Sequence, residues 1–389
     1  MTPETALADP LGTRPAAPAP AVAPPRDRFA GVRRIAVLRA GGLGDLLFAV
    51  PAMQALMASY PEAEVTLLGA PVARALLPGR DGAPHRVRVL PAIPGVGAAP
   101  DAAADVREIE RFAAEQREEG WDLAVQLHGG GRFSNPFLLS LGARHTVGTR
   151  TDDAAPLERT IDYVYYQHEM LRGLEVAGLA GAAPVALEPR LGTSARERAH
   201  AAERCGADRP VAVIHPGATD PRRRWPAERF AAVAAALVDA GARVVLVGDG
   251  EDAHLCGRIA AAVDAPSDRV RDLSGALDLG ALAGVLAHAA VVIGNDSGPR
   301  HLAQAVGART AAVYWFGNVV NAGPLGRGRH RVQLGWTTHC PVCGRDATQV
   351  GWTAERCAHD VSFVADVPVA AVRDDALRLL EDAAAERAR

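Results

Sequence analysis

Residues 291–307, VVIGNDSGPRHLAQAVG, leave few folds open to this chain. Val291, Val292 and Ile293 form a β-branched run that reads as a buried parallel strand. Residues 294–298 are a turn cluster, and Pro299 opens a helix that continues through Ala303 and Val306. The first N–H groups of such a helix lack internal partners and its dipole favours negative charge, so the junction is a ready anion site with Asp296, Ser297 and His301 at its mouth. The same residues also suit plain capping, with His301 packed on the first turn.

The pattern occurs earlier as well. Residues 34–38 (RIAVL) lead through Arg39, Ala40, Gly41, Gly42, Leu43, Gly44 and Asp45 into an amphipathic helix. The glycine spacing does not match the dinucleotide fingerprint and no acidic residue ends the second strand, so no nicotinamide cofactor is expected. Gly42 and Gly44 instead let an acceptor approach the backbone. Asp45 sits where a helix dipole favours an anion, either as a general base toward a hydroxyl or simply as a favourable first-turn charge.

Further strands are expected at 64–70, 86–90, 123–127 and 145–148, with helices near 72–77, 105–119, 134–141 and 161–179. The Ala/Gly/Pro-rich segment 180–189 reads as a hinge. A second alternation follows, with strands at 211–214, 243–247, 270–273, 291–293 and 309–315 and helices between them. Such alternation gives doubly wound parallel sheets, and two in tandem place their ligand-binding strand edges across a cleft. His128 and Arg132 leave the 123–127 strand at that edge, either as an acceptor rim or as a flexible glycine turn.

A length of 389 residues calls for two domains, and 49% hydrophobic with 22% charged residues describes a soluble globular chain. A net charge of −3 gives no nucleic-acid footprint. Every basic residue other than histidine is arginine, which excludes a Schiff-base lysine and leaves phosphate recognition to guanidinium groups. No apolar run is long enough for a membrane span, and the Pro/Ala-rich residues 1–30 read as a disordered arm rather than a signal peptide. Five cysteines, an odd number, point to a reducing compartment and hence to the cytoplasm.

The loop at 215–226, HPGATDPRRRWP, places three arginines beside Thr219. Either a shared anion relieves their mutual repulsion, since guanidinium forks match phosphate oxygens, or the segment is a solvated basic loop on a near-neutral protein. Near the C-terminus, Cys340, Cys343, Cys357 and His359 are residue types that suit zinc. The last pair is too close for the usual finger spacing, so no metal is assigned, and a disulfide would need oxidation.

Four motifs in order, GGLGD (41–45), PGATDPRRRWP (216–226), VLVGDGED (245–252) and GNDSGPRHLAQAVG (294–307), resemble the heptosyltransferase-like glycosyltransferases of family nine over roughly residues 34–372. The resemblance implies a GT-B fold: an acceptor-binding domain at 31–185, a nucleotide-sugar-binding domain at 190–365, and a terminal helix within 366–389 packing back on the first domain. It further implies inverting, metal-independent transfer from an ADP-activated heptose, with no cofactor. The acceptor is then a glycan, often lipopolysaccharide core, or a small molecule, and any membrane contact is peripheral through the acceptor.

Carried over by motif, Asp45 becomes the base. Thr219 and Arg223 bind the diphosphate, with Arg223 standing where members usually have lysine and Arg222 or Arg224 able to substitute. Glu251 lies near the ribose, and Asp296, Ser297, Gly298 and His301 lie near the donor sugar and diphosphate. Gly42, Gly44, His128 and Arg132 form the acceptor side. A UDP- or GDP-sugar enzyme, an epimerase, and a catalytically silent binding protein fit the same fold.

Overall fold

The computed structural model describes residues 22–266, 268–348 and 355–388. Among these, β1 (Arg34–Arg39), β2 (Glu64–Gly69), β3 (Arg86–Val89), β4 (Leu123–Gln126), β5 (His145–Arg150) and β6 (Arg159–Asp162) form one sheet in the order β3-β2-β1-β4-β5-β6. A second sheet, ordered β12-β11-β10-β7-β8-β9, contains β7 (Val211–His215), β8 (Arg243–Leu246), β9 (Val270–Asp272), β10 (Val291–Asn295), β11 (Thr310–Trp315) and β12 (His330–Gly335). All pairings are parallel.

Counted from its own first strand, the second sheet repeats the order of the first. Each sheet therefore reverses direction between its first and fourth strands, at β1/β4 and at β7/β10. Ligands of such sheets bind beyond the carboxyl ends of the strands at that switch point, so the loops after β1, β4, β7 and β10 are the ones placed to reach a ligand. The central strands are legible as apolar runs because helices cover both sheet faces: all five residues of β10 and five of six in β1 are buried.

The edge strands differ from expectation. Residues 159–162 form β6, half-exposed and paired only with β5, and the helix expected from 161 begins only at Glu169 (Glu169–Leu179). The Ala195–Cys205 helix and β12 were also not anticipated; β12 is an edge strand of mixed polarity, HRVQLG. The first 21 residues of the expected arm lie outside the described residues, but ordered structure starts before residue 31. Arg26 N–H bonds the Gly178 carbonyl at 2.9 Å, and the buried Phe29 stacks on His145 at 4.0 Å.

The terminal helix (Val369–Arg387) does not return to the first domain. Val372, Ala376 and Leu379 pack into the second-domain core with Phe230 and Val313, because its apolar face matches the uncovered side of β10 and β11. No helix among the described residues is long and apolar enough to cross a membrane.

The lobes meet where two helices, Leu43–Ser59 and Gly298–Ala305, bring their N-terminal turns together. A Cβ on Gly298 would come within 2.9 Å of Leu43 Cβ, so only glycine allows this approach. Phe48 packs edge-on against the His301 ring at 4.7 Å, and one apolar core runs through the contact from both lobes. Arg80 Nη1 to Glu197 Oε2 (3.0 Å) and His168 Nε2 with the Gly323 carbonyl oxygen (2.6 Å) tie the lobes elsewhere.

Candidate active site

Between the lobes lies a cleft of about 590 Å³, lined by nine of the residues singled out from the sequence: Gly42, Gly44, Asp45, Thr219, Arg223, Asp296, Ser297, Gly298 and His301. Asp45 enters from the first turn of its helix. Its Oδ2 accepts the Gly42 N–H at 2.9 Å and its Oδ1 accepts from Arg39 Nη2 at 2.7 Å. Gly41 makes this geometry possible: its φ is +102° and a Cβ there would lie 2.5 Å from Asp45 Oδ2. Arg39 is buried and shared with Glu169 (3.3 Å), which in turn pairs with Arg172. The carboxylate is thus oriented from behind yet remains 47% exposed toward the cleft.

On the opposite lobe, the buried Asp296 carboxylate accepts from His301 Nε2 (3.0 Å), Arg223 Nη1 (3.1 Å) and Asn318 Nδ2 (2.6 Å). Burial alone would raise its pKa, but these donors hold it well below the usual carboxylate range. Burial and neighbouring Arg300 push the His301 pKa down despite Asp296, so the ring is neutral. Its tautomer follows from its neighbours. Arg300 Nη1 lies 2.8 Å from Nδ1 and can only donate, so Nδ1 accepts and the hydrogen sits on Nε2, facing Asp296. Arg300 itself is fully buried over the Tyr314 ring, with no carboxylate partner among the described residues and no hydrogen bond from Nε or Nη2.

Asn295, at the end of β10, pins the neighbouring loop. Its Oδ1 accepts the Trp225 N–H (3.0 Å), and its Nδ2 donates to the Pro216 (2.7 Å) and Gly217 (3.3 Å) carbonyls. This holds Arg223 over Asp296. Arg222 is engaged by Asp220, and Arg224 Nε donates to the Ala218 carbonyl, which leaves Arg223 as the arginine of the three whose charge borders Asp296. The repulsion among the three arginines is therefore relieved partly by the protein's own carboxylates.

Plain capping does not describe the β10 turn. Ser297 makes no side-chain cap bond to its helix; its Oγ is 3.1 Å from His215 Nδ1, and His215 Nε2 is 3.3 Å from Asp252. A carboxylate only accepts, so that Nε2 carries its hydrogen. Burial opposes ionisation of Asp252, but its contacts with His215, the hydrogen bond at Asp249 and the charge of Arg224 together outweigh it and lower the pKa.

Three expected residues do not line the cleft. Glu251 is exposed on its turn, and the inward-facing acid there is Asp252, seated against Gly217 and Gly248 where no Cβ would fit. Arg132 is exposed and pairs with Asp153 at 3.5 Å. His128 is half-buried beside the Arg39–Asp45 pair, with its pKa lowered by burial and by Arg39. Not foreseen were Tyr163, Tyr165 and Tyr166 from the first lobe and Trp315 and Phe363 from the second, which give the cleft aromatic walls. Arg39, Asn295 and Asn318 were also missed, although Asn295 belongs to the GNDSG turn.

Two tandem doubly wound lobes with a carboxylate on one side and a cation-backed helix terminus on the other define a GT-B glycosyltransferase. The model of glycosyltransferase family 9 (heptosyltransferase) matches residues 109–347, well over half of the chain, and the protein belongs to that family. Lipopolysaccharide heptosyltransferase 2 of Escherichia coli K12 is 26% identical over 296 residues, spanning 72% of this chain and 82% of the relative. Among solved structures, E. coli ADP-heptose lps heptosyltransferase II superposes with a TM-score of 0.70 at 21% identity, covering 90% of this chain and 99% of the other. E. coli heptosyltransferase WaaC with ADP-2-deoxy-2-fluoro heptose gives 0.57 at 20% identity, covering 77% and 92%.

Proposed function

We propose that this glycosyltransferase moves a heptose from an ADP-activated donor to a hydroxyl of a lipopolysaccharide-core or related acceptor, with inversion, in the cytoplasm and with no metal taking part in the transfer. The observation that carries the reading is the placement of Asp45 on one lobe beside Asp296, His301 and Arg223 on the other, at a contact between helix N-termini. The E. coli relatives named for heptose transfer, one of them solved with an ADP-heptose analogue, support the donor assignment.

The acceptor hydroxyl attacks the anomeric carbon from the first-lobe side while Asp45 takes its proton, its orientation fixed by Arg39 and the Gly42 N–H. The departing diphosphate carries growing negative charge, which Arg223 and the uncapped N–H groups of the Gly298–Ala305 helix stabilise. Asp296 positions Arg223 rather than binding phosphate itself, since two anions would repel. The tyrosines and Trp315 offer flat apolar faces for sugar rings.

Calorimetry with ADP, UDP and GDP, followed by transfer from ADP-heptose, tests the reading. ADP is expected to bind selectively, and Arg223→Ala to weaken it about 10-fold or more, as loss of a charge-assisted contact does. Asp45→Asn is expected to keep ADP affinity and lower turnover by about 10²–10⁴. Preference for UDP or GDP overturns the donor, and full turnover in Asp45→Asn overturns the base.

A further inference from the structure

We propose that Cys340, Cys343, Cys357 and His359 bind a single thiolate-preferring transition-metal ion, zinc or iron, that braces the loop walling the cleft. The inference is independent of the donor and acceptor assignment.

One ligand atom from each of the four residues lies within 4.8 Å of all the others. Four donors placed about 2.0–2.3 Å from a tetrahedral centre stand roughly 3.5–3.8 Å apart, so a small contraction closes the site. The three thiols are free despite this proximity. Cys340 and Cys343 sit on a tight turn in which Cys340 N–H bonds the Arg345 carbonyl (2.8 Å), Gly344 N–H bonds the Cys340 carbonyl (2.9 Å), and Gly344 has φ +71°.

A second observation is independent of the cysteines. Nδ1 of His359 is buried and makes no hydrogen bond, an orphaned donor or acceptor beside three sulfurs. The one-residue gap between Cys357 and His359, which argues against a finger, suits the non-helical backbone found there, where side chains two apart share a side. Three sulfurs and one nitrogen with no carboxylate select zinc or iron over magnesium or calcium.

The position gives the ion a task. Just beyond His359, the Ser362 hydroxyl donates to the Arg224 carbonyl (2.7 Å) and Phe363 N–H to the Arg222 carbonyl (2.7 Å). On the other side of the cluster, Tyr166 donates to the Thr348 carbonyl. Clamping the ends of this loop together would hold the arginine turn that carries Arg223.

The test is elemental analysis of the full-length chain, purified without a metal-binding tag under anaerobic reducing conditions. About one zinc or iron per chain is expected, and the element found names the ion. After chelation, cobalt(II) should give the intense bands of a tetrahedral thiolate complex, discharged by one equivalent of zinc. Cys343→Ser and His359→Ala should each weaken cobalt binding about 10-fold or more. Wild-type protein that carries far less than one equivalent and gives only a weak octahedral cobalt spectrum overturns the site. A disulfide among the three cysteines in freshly prepared protein does the same.

Discussion

Asp296→Asn is a near-isosteric change that the surrounding donors cannot accommodate. The carboxylate accepts three hydrogen bonds, from His301 on one oxygen and from Arg223 and Asn318 on the other. An asparagine whose oxygen faces Arg223 and Asn318 turns its NH₂ toward His301 Nε2–H, so donor meets donor. His301 could escape by moving its hydrogen to Nδ1, but Arg300 Nη1 already donates there at 2.8 Å. One buried donor left unsatisfied costs about 1–3 kcal/mol. Loss of the ionic contact to Arg223, which is about one-third exposed, adds roughly 1 kcal/mol or less after solvent screening.

Arg300→Met removes the obstacle. By itself it deletes a buried guanidinium with two unpartnered nitrogens but also leaves the buried His301 Nδ1 without its donor, so the two effects offset and a net change within about 1–3 kcal/mol is expected. In the double variant His301 can switch tautomers, and about 1–3 kcal/mol of the Asp296→Asn penalty should return as coupling. Urea unfolding followed by circular dichroism measures the cycle, with midpoints compared where the m-value is unchanged. A cycle that is additive within about 0.5 kcal/mol refutes the locked tautomer.

Asn295→Ala strips partners from the buried Trp225 N–H and Pro216 carbonyl, so a loss of about 2–4 kcal/mol in unfolding free energy is expected, together with weaker ADP binding by calorimetry as Arg223 loosens. Leu379→Ala in the terminal helix should cost about 2–5 kcal/mol, read as a lower urea midpoint, because it opens a cavity in the second-domain core. Stability should also fall on acidification. Burial, with Arg300, Arg329 and Arg331 nearby, pushes His330 down to about 3, and His301 is lowered too. Between about pH 6.5 and 3 the unfolded chain holds more protons at His330 than the folded one, so each such histidine removes up to about 1.4 kcal/mol per pH unit as pH drops. A urea midpoint that stays flat from pH 7 to 5 would contradict this.

What could be read from the sequence divides along physical lines. Strands β1, β4, β7 and β10 are buried on both faces and stand out as apolar runs, and the glycine turns after β1 and β10 announce Asp45, Asp296 and His301. Edge strands such as β6 carry no such signature, because one side pairs with nothing and polar residues are tolerated there. At 251–252 two adjacent acids compete, and the choice falls to Asp252 through the space left by Gly217, a residue 35 positions away. The roles of Arg39, Asn295 and Arg300 likewise depend on partners that only the folded chain supplies.

The contact of Leu43 with Gly298 has a mechanical consequence. The Leu43 side chain seated on the bare backbone of Gly298 makes a close pivot, and any rotation of one lobe over the other would displace each atom in proportion to its distance from that point. Asp45 is two residues from Leu43, and Asp296 and His301 lie within three residues of Gly298. Their lever arms are short, so under such a rotation Asp45 and the carboxylate opposite it would shift least and keep their mutual register.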